Sequence, residues 1–134
     1  MLLDSANSNI LVSYSRFLAQ YEKLDDAMRY VVEALSIDPE NTEALRTQAN
    51  IYKYKGELDS YYSTLERVLE LDGEQPLALR DLISAYVSKK EYVKAKALLE
   101  KVLAAAPDDP MAKFLFSWVA TNLGELEIAN RTLE

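Results

Sequence analysis

The stretch TEALRTQANIYKYKGELDSYYSTLERVLELDGEQ, residues 42–75, decides the fold because its pattern recurs on both sides at a spacing of 34 residues. The chain aligns with itself without a gap when Ser8, Thr42, Pro76 and Pro110 share one column. The columns that follow are coherent, such as Leu11/Leu45/Leu79, Ser15/Ala49/Ile83/Ser117 and Val31/Leu65/Leu99/Leu133. A fixed period of this length is typical of repeat proteins.

Within each unit the apolar residues have helical spacing. Leu45, Ala49 and Tyr52 step by four and three residues, which places them on one face of a helix. Gly56 follows, where a left-handed residue ends a helix without steric cost. After the glycine, Leu58, Leu65, Val68 and Leu69 repeat this helical spacing. We therefore predict a helical hairpin, with helices at 42–55 and 58–71.

The starts of the helices carry their own signals. Pro76 and Pro110 stand where a first turn tolerates proline, and Asn41 and Asp109 stand where an N-cap is expected. Hairpins of this size cannot bury both faces alone, so they must stack. The predicted units are 8–41, 42–75, 76–109 and 110–134, with 1–7 as the end of a preceding repeat or a lead-in. We expect a segment of a longer array, because the last unit stops inside its second helix.

The composition excludes most catalytic chemistry. The 134 residues include no Cys and no His, so thiol or imidazole catalysis, disulfides and Cys or His metal sites are excluded. The carboxylate pairs Asp25-Asp26 and Asp108-Asp109 fall in turns, adjacent in sequence, rather than across a cleft. We expect no enzyme, no cofactor and no metal.

Charge and hydropathy limit the partners. A net charge of −7 argues against nucleic acid, which needs a basic face. No apolar run is long enough to insert in a membrane, and the start MLLDSANSN lacks the features of a signal peptide. We expect a soluble segment, for which the cytoplasm and the periplasm are both compatible.

The pattern resembles the tetratricopeptide repeat family. The second unit matches it at Leu45, Ala49, Tyr52, Gly56, Leu58, Leu65 and Leu71-Asp72, and the third at Leu79, Leu82, Tyr86, Tyr92, Ala95, Leu99 and Pro107. The resemblance implies an all-α, right-handed superhelical solenoid of stacked antiparallel hairpins. It also implies a scaffold that binds a partner peptide or helix in a concave groove. Glu22 and Lys90 depart from the pattern, because they take the turn position that glycine holds elsewhere.

In this family the first helix of each hairpin lines the groove. The corresponding candidates for partner binding are Arg16, Arg46, Asn50, Lys53, Arg80, Ser84, Phe114 and Trp118. Four of them are cations, and guanidinium groups bind carboxylates, so a peptide with acidic residues or a free C-terminus is a natural partner. In the alternative interpretation the cations are solvated or paired with a nearby Glu, and Phe114 and Trp118 pack in the core or between repeats.

Some members of the family bind chaperone C-terminal tails through a carboxylate clamp. Arg46 and Asn50 fit that pattern approximately, but Asp81 replaces an Asn, and Met111 and Leu115 replace two cations. We predict that the chain does not bind such tails.

Two other functions remain open from the sequence. One is a self-assembly or spacer module with end-to-end self-association. The other, less favoured, is an RNA-binding helical repeat, whose relatives have a period of 35 residues and a basic groove.

Overall fold

The computed structural model describes residues 2–133, with side chains for 6–125, 127, 128, 131 and 132. Met1 and Glu134, the outermost residues of the first and last predicted segments, lie outside the described residues. The regular structure over 2–133 is entirely α-helical, which confirms the all-α prediction. The helices are α1 (Leu2–Gln20), α2 (Leu24–Ile37), α3 (Thr42–Lys55), α4 (Leu58–Leu71), α5 (Pro76–Ser88), α6 (Tyr92–Ala105), α7 (Pro110–Asn122) and α8 (Leu126–Leu133).

The helices belong to two units, which we call unit 1 (residues 1–73) and unit 2 (residues 74–134). In unit 1, α1 packs on α2 and α3 on α4, and α3 also contacts both α1 and α2. Its core joins Val12 of α1, Val31 of α2 and Ile51 of α3. In unit 2, α5 packs on α6, α6 on α7 and α7 on α8. The core there includes Leu99 of α6 and Val119 of α7.

Three of the helices begin at side-chain caps that are 34 residues apart. The Asn41 side chain accepts a hydrogen bond from the N–H of Ala44 at 3.0 Å. Asp109 accepts from the N–H groups of Met111 and Ala112, both at 3.0 Å. The predicted caps at Asn41 and Asp109 are thereby confirmed. Gln75 is a further cap, because its side-chain oxygen accepts a hydrogen bond from the N–H of Ala78 in α5 at 2.8 Å.

The turns inside the hairpins require a left-handed residue. Gly56 and Gly124 have φ angles of 78° and 81°, as the position of Gly56 predicts. Glu22 and Lys90 occupy the same position with φ of 61°, which non-glycine residues adopt at a steric cost. The turn geometry is therefore kept where the sequence departs from glycine.

Helix α1 is longer than the other helices at its start. It begins at Leu2, so residues 2–7 form its first turns. Ser5 stands where other units have Pro39, Gly73 and Pro107. Serine permits the helix to continue, whereas proline and glycine interrupt it.

Candidate functional site

An open cleft of about 640 Å³ lies between α1 and α3 in unit 1, and we call it the α1–α3 cleft. Its apolar lining comes from Ala19, Leu24 and Ile51, and its polar lining from Arg16, Gln20, Glu22, Thr47, Asn50 and Tyr54. Each of these two helices is the first helix of a predicted repeat. They are therefore the helices that the resemblance assigns to ligand binding.

Arg16 and Arg46 share one carboxylate beside this cleft. The Nη1 atom of Arg16 lies 2.7 Å from Oε1 of Glu43, and the Nη1 atom of Arg46 lies 3.2 Å from Oε2. All three side chains are partly exposed, so each pair contributes less than about 1 kcal/mol. The three groups together carry one net positive charge.

On the α3 side of the cleft, the side chain of Thr47 already has a hydrogen-bond partner, whereas those of Asn50 and Tyr54 are exposed to solvent. The hydroxyl of Thr47 is committed, because it donates to the carbonyl of Glu43 at 2.8 Å. Asn50 is exposed, and Tyr54 is 72% exposed. An exposed amide both donates and accepts hydrogen bonds, as a peptide backbone requires. The cleft therefore offers Asn50, Gln20, Arg16 and Tyr54 to a ligand.

Lys53 lies on the same helix but has an aromatic partner. Its Nζ atom is 5.7 Å from the ring centroid of Tyr61, which is buried in α4. A cation at this distance from an aromatic face is attracted to it.

The remaining sequence candidates lie in unit 2. Arg80 pairs with Asp81 at 3.3 Å, and Ser84 is exposed on the same helix. Phe114 and Trp118 lie one turn apart on α7 and are 57% and 41% exposed. The ring of Trp118 meets that of Tyr92 edge-on, with centroids 5.6 Å apart.

Two alternatives raised by the sequence can now be judged. Phe114 and Trp118 lie outside the core, because Phe116 and Val119 take the buried face of α7, but the ring contact of Trp118 with Tyr92 joins the fourth predicted repeat to the third. By contrast, the pairing of cations with nearby carboxylates is what Arg16, Arg46 and Arg80 show.

Sequence reasoning missed the role of Glu43 as the shared partner of two arginines. The spacing of three residues between Glu43 and Arg46 is a signal that could have found the second pair. The contact of Glu43 with Arg16 joins two different repeats, and the repeat pattern does not predict it.

Among the side chains that the structure describes, no three His, Cys, Asp or Glu residues form a group able to hold a metal ion. Of the helices within 2–133, none combines the length and the apolar character needed to cross a membrane.

Comparison with known proteins identifies the repeat. Residues 62–115 match the family described as tetratricopeptide repeat. Over these 54 of the 134 residues, the sequence is similar to that of tetratricopeptide repeats. No curated protein matches the sequence.

Several solved structures share the fold of this chain. The complex of Naa15 and Naa10 bound to HypK matches with a TM-score of 0.81 and 20% identity, over 94% of this chain and 19% of that one. YrrB, described as a TPR protein with an unusual peptide-binding site, matches with a TM-score of 0.70 and 20% identity, over 91% and 63%. The first TPR of Spaghetti (RPAP3), bound to an HSP90 peptide, matches with 0.64 and 18%, over 90% and 98%. At these identities the likeness shows the fold alone.

Proposed function

We propose that this chain is a non-catalytic protein-interaction module that binds a peptide segment of a partner in the α1–α3 cleft. The observation that carries the proposal is the polar lining of a cleft between two repeat helices, with Asn50 and Arg16 on opposite walls. YrrB and the Spaghetti domain, which share the fold, are described with a peptide-binding site or a bound peptide.

The chemistry of the lining favours an extended segment. A peptide in extended form presents unpaired backbone N–H and C=O groups, and the amides of Asn50 and Gln20 can pair with both kinds. Ala19 and Leu24, which are only partly buried, supply apolar surface for one side chain between them. Directional polar groups around a small apolar floor are typical of ligand sites.

The charges support an acidic residue or a free C-terminus in that segment. Arg16 holds Glu43 through one guanidinium nitrogen, so its other N–H groups can bind a ligand carboxylate. If Arg16 exchanges Glu43 for a ligand carboxylate, Arg46 remains paired with Glu43. Since exposed ion pairs are weak, this exchange loses little free energy.

Selection of random peptides displayed on phage, followed by calorimetric titration of the selected peptides, tests the proposal. We expect micromolar binding that Asn50→Ala and Arg16→Ala each weaken by about tenfold, the loss of one well-placed polar contact. Arg67→Ala is the matched control, because Arg67 is also an exposed arginine paired with a glutamate, Glu70, at 2.8 Å.

The control separates a site from a general charge effect. Equal weakening by Arg67→Ala and Arg16→Ala would contradict binding in the cleft, as would peptides that none of these variants affects. Amidation of the peptide C-terminus then tests the carboxylate, and unchanged affinity for every selected peptide without acidic residues would contradict its role.

A further inference from the structure

The α1–α3 cleft has charges of opposite sign at its two ends. Among the lining residues that the structure describes, Arg16 is the only cation and Glu22 the only carboxylate. Arg16 lies on α1, and Glu22 lies in the turn that follows this helix. A segment that lies along the cleft therefore meets a different charge at each end.

The end at Arg16 is positive. Arg16 reaches across to Glu43 at the start of α3, and Arg46 binds the other oxygen of the same carboxylate. Two guanidinium groups against one carboxylate leave one net positive charge. This end is the one that the acidic group of a ligand would occupy.

The end at Glu22 is negative. Glu22 is exposed to solvent, and Tyr54 on the last turn of α3 lines the same end. Beside them, the ammonium group of Lys55 is shared by two carboxylates, Asp25 at 3.0 Å and Glu57 at 3.8 Å. Helices α1 and α3 both end here, and helix C-termini carry a partial negative charge. This end of the cleft attracts a cation.

Two further lysines are close to this end in sequence, and neither lines the cleft. The Nζ atom of Lys53 lies 5.7 Å from the ring centroid of Tyr61 in α4. With Lys23 counted, two ammonium groups, those of Lys23 and Lys55, stand against the three carboxylates of this end. The local charge therefore stays negative.

We infer that the peptide segment bound in the α1–α3 cleft carries an acidic group at one end and a lysine or arginine at the other, with an apolar side chain between them. The inference rests on the proposed function and adds Glu22 as the residue that selects the basic side chain. The carboxylate of Glu22 would pair with the ligand cation, and the exposed ring of Tyr54 offers it an aromatic face.

The length of the cleft sets the spacing of these ligand groups. Arg46 and Tyr54 mark its two ends on α3 and are eight residues apart, or about 12 Å at about 1.5 Å per residue. An extended peptide advances about 3.3 Å per residue, so about four residues cover this distance. Side chains four residues apart lie on one face of an extended segment, together with the side chain midway between them. Ala19 and Leu24 offer apolar surface to that middle side chain.

Selection of random peptides on phage, carried out in parallel on the unchanged chain and on Glu22→Lys, tests the inference. Lys90 holds the equivalent turn of the third repeat with the same φ of 61°, so this substitution keeps the turn. The unchanged chain should select an acidic and a basic residue four positions apart. Glu22→Lys should select an acidic residue in place of the basic one. Glu33→Lys is the matched control, because Glu33 is exposed on α2 of the same unit and does not line the cleft.

Calorimetry measures the effect with one peptide selected on the unchanged chain. Glu22→Gln should weaken its binding by about fivefold, the contribution of one exposed charge pair. Replacing the basic residue of the peptide with alanine should weaken binding equally, and both changes together should weaken it little more than either alone. Glu33→Gln should leave the affinity unchanged.

The possible failures are distinguishable. Selected peptides that need Asn50 and Arg16 but contain no basic residue would overturn this inference and leave the proposed function standing, as would a basic residue whose effect Glu22→Gln does not change. The same altered selection by Glu33→Lys and Glu22→Lys would mean that net charge, not Glu22, selects the ligand. If no peptide binds, both the inference and the proposed function are wrong. Circular dichroism checks that Glu22→Lys remains folded, and Glu22→Gln tests the inference if it does not.

Discussion

The side chain of Asn41 ties three helices of unit 1 together, and its removal is the sharpest test of how the repeats are joined. It caps α3 by accepting from the N–H of Ala44 at 3.0 Å. Its amide also donates to Oγ of Ser8 at 2.8 Å and to Oδ1 of Asn9 at 3.0 Å. Ser8 in turn donates to the carbonyl of Ala34 in α2, at 3.0 Å. Asn41 and Ser8 are buried.

We predict that Asn41→Ala lowers the free energy of unfolding of unit 1 by about 3 kcal/mol. The lost cap contributes about 1 kcal/mol. Each of the two lost side-chain hydrogen bonds contributes about 1 kcal/mol more, the typical net value, since the bond to Ser8 is buried and the bond to Asn9 is partly buried. The matched controls are Gln75→Ala and Asp109→Ala, which remove a cap at the same repeat position and should cost only about 1 kcal/mol each.

Urea denaturation monitored by far-ultraviolet circular dichroism measures these losses. Fluorescence of Trp118, the single tryptophan, follows unit 2 separately. The double variant with Ser8→Ala should lose less than the sum of the two single losses, because both remove the same hydrogen bond. A loss for Asn41→Ala no greater than that for Asp109→Ala would refute the reasoning, since the bonds to α1 would then contribute nothing.

Three further predictions concern the turns and the ligand. Replacing Glu22 or Lys90 with glycine should stabilise the chain by about 0.5–1 kcal/mol in urea denaturation, because relief of the left-handed strain exceeds the entropy that glycine loses; a lower midpoint would contradict this. Gly56→Ala should destabilise by about 1 kcal/mol through φ alone, because an added Cβ meets no atom within 4 Å; an unchanged midpoint in the same assay would show that the turn relaxes. The peptide SRMEEVD, seen with the Spaghetti domain, should show no micromolar binding in calorimetry, and saturable binding would contradict the missing clamp.

The repeat pattern predicted the helices of unit 1 closely. Helices α3 and α4 run over Thr42–Lys55 and Leu58–Leu71, the predicted bounds. Capping and turn signals are local, so Asn41 and Gly56 could be interpreted without a structure. Gln75 was missed as a cap because glutamine is not among the usual capping residues.

The candidate site was less predictable. The sequence placed Arg16 and Asn50 on ligand-facing helices, and both line the α1–α3 cleft. The sequence did not indicate that Glu43 forms an ion pair with Arg16, because that contact depends on how closely neighbouring repeats approach each other. The exposure of Ile10 and Phe17 could not be predicted either, because their columns are buried at Ala44 and Ala112 and at Ile51 and Val119. Whether such a face is covered depends on how neighbouring helices pack, and that cannot be inferred from a single sequence.

Chemical-shift mapping by nuclear magnetic resonance, with a phage-selected peptide added to the isotope-labelled chain, tests the central claim most directly. Peptide binding in the α1–α3 cleft predicts saturable shifts that concentrate at the amides of Arg16, Gln20, Thr47, Asn50 and Tyr54 and are lost in Asn50→Ala. Shifts confined to α4 or to unit 2, with the cleft residues unchanged, would contradict it.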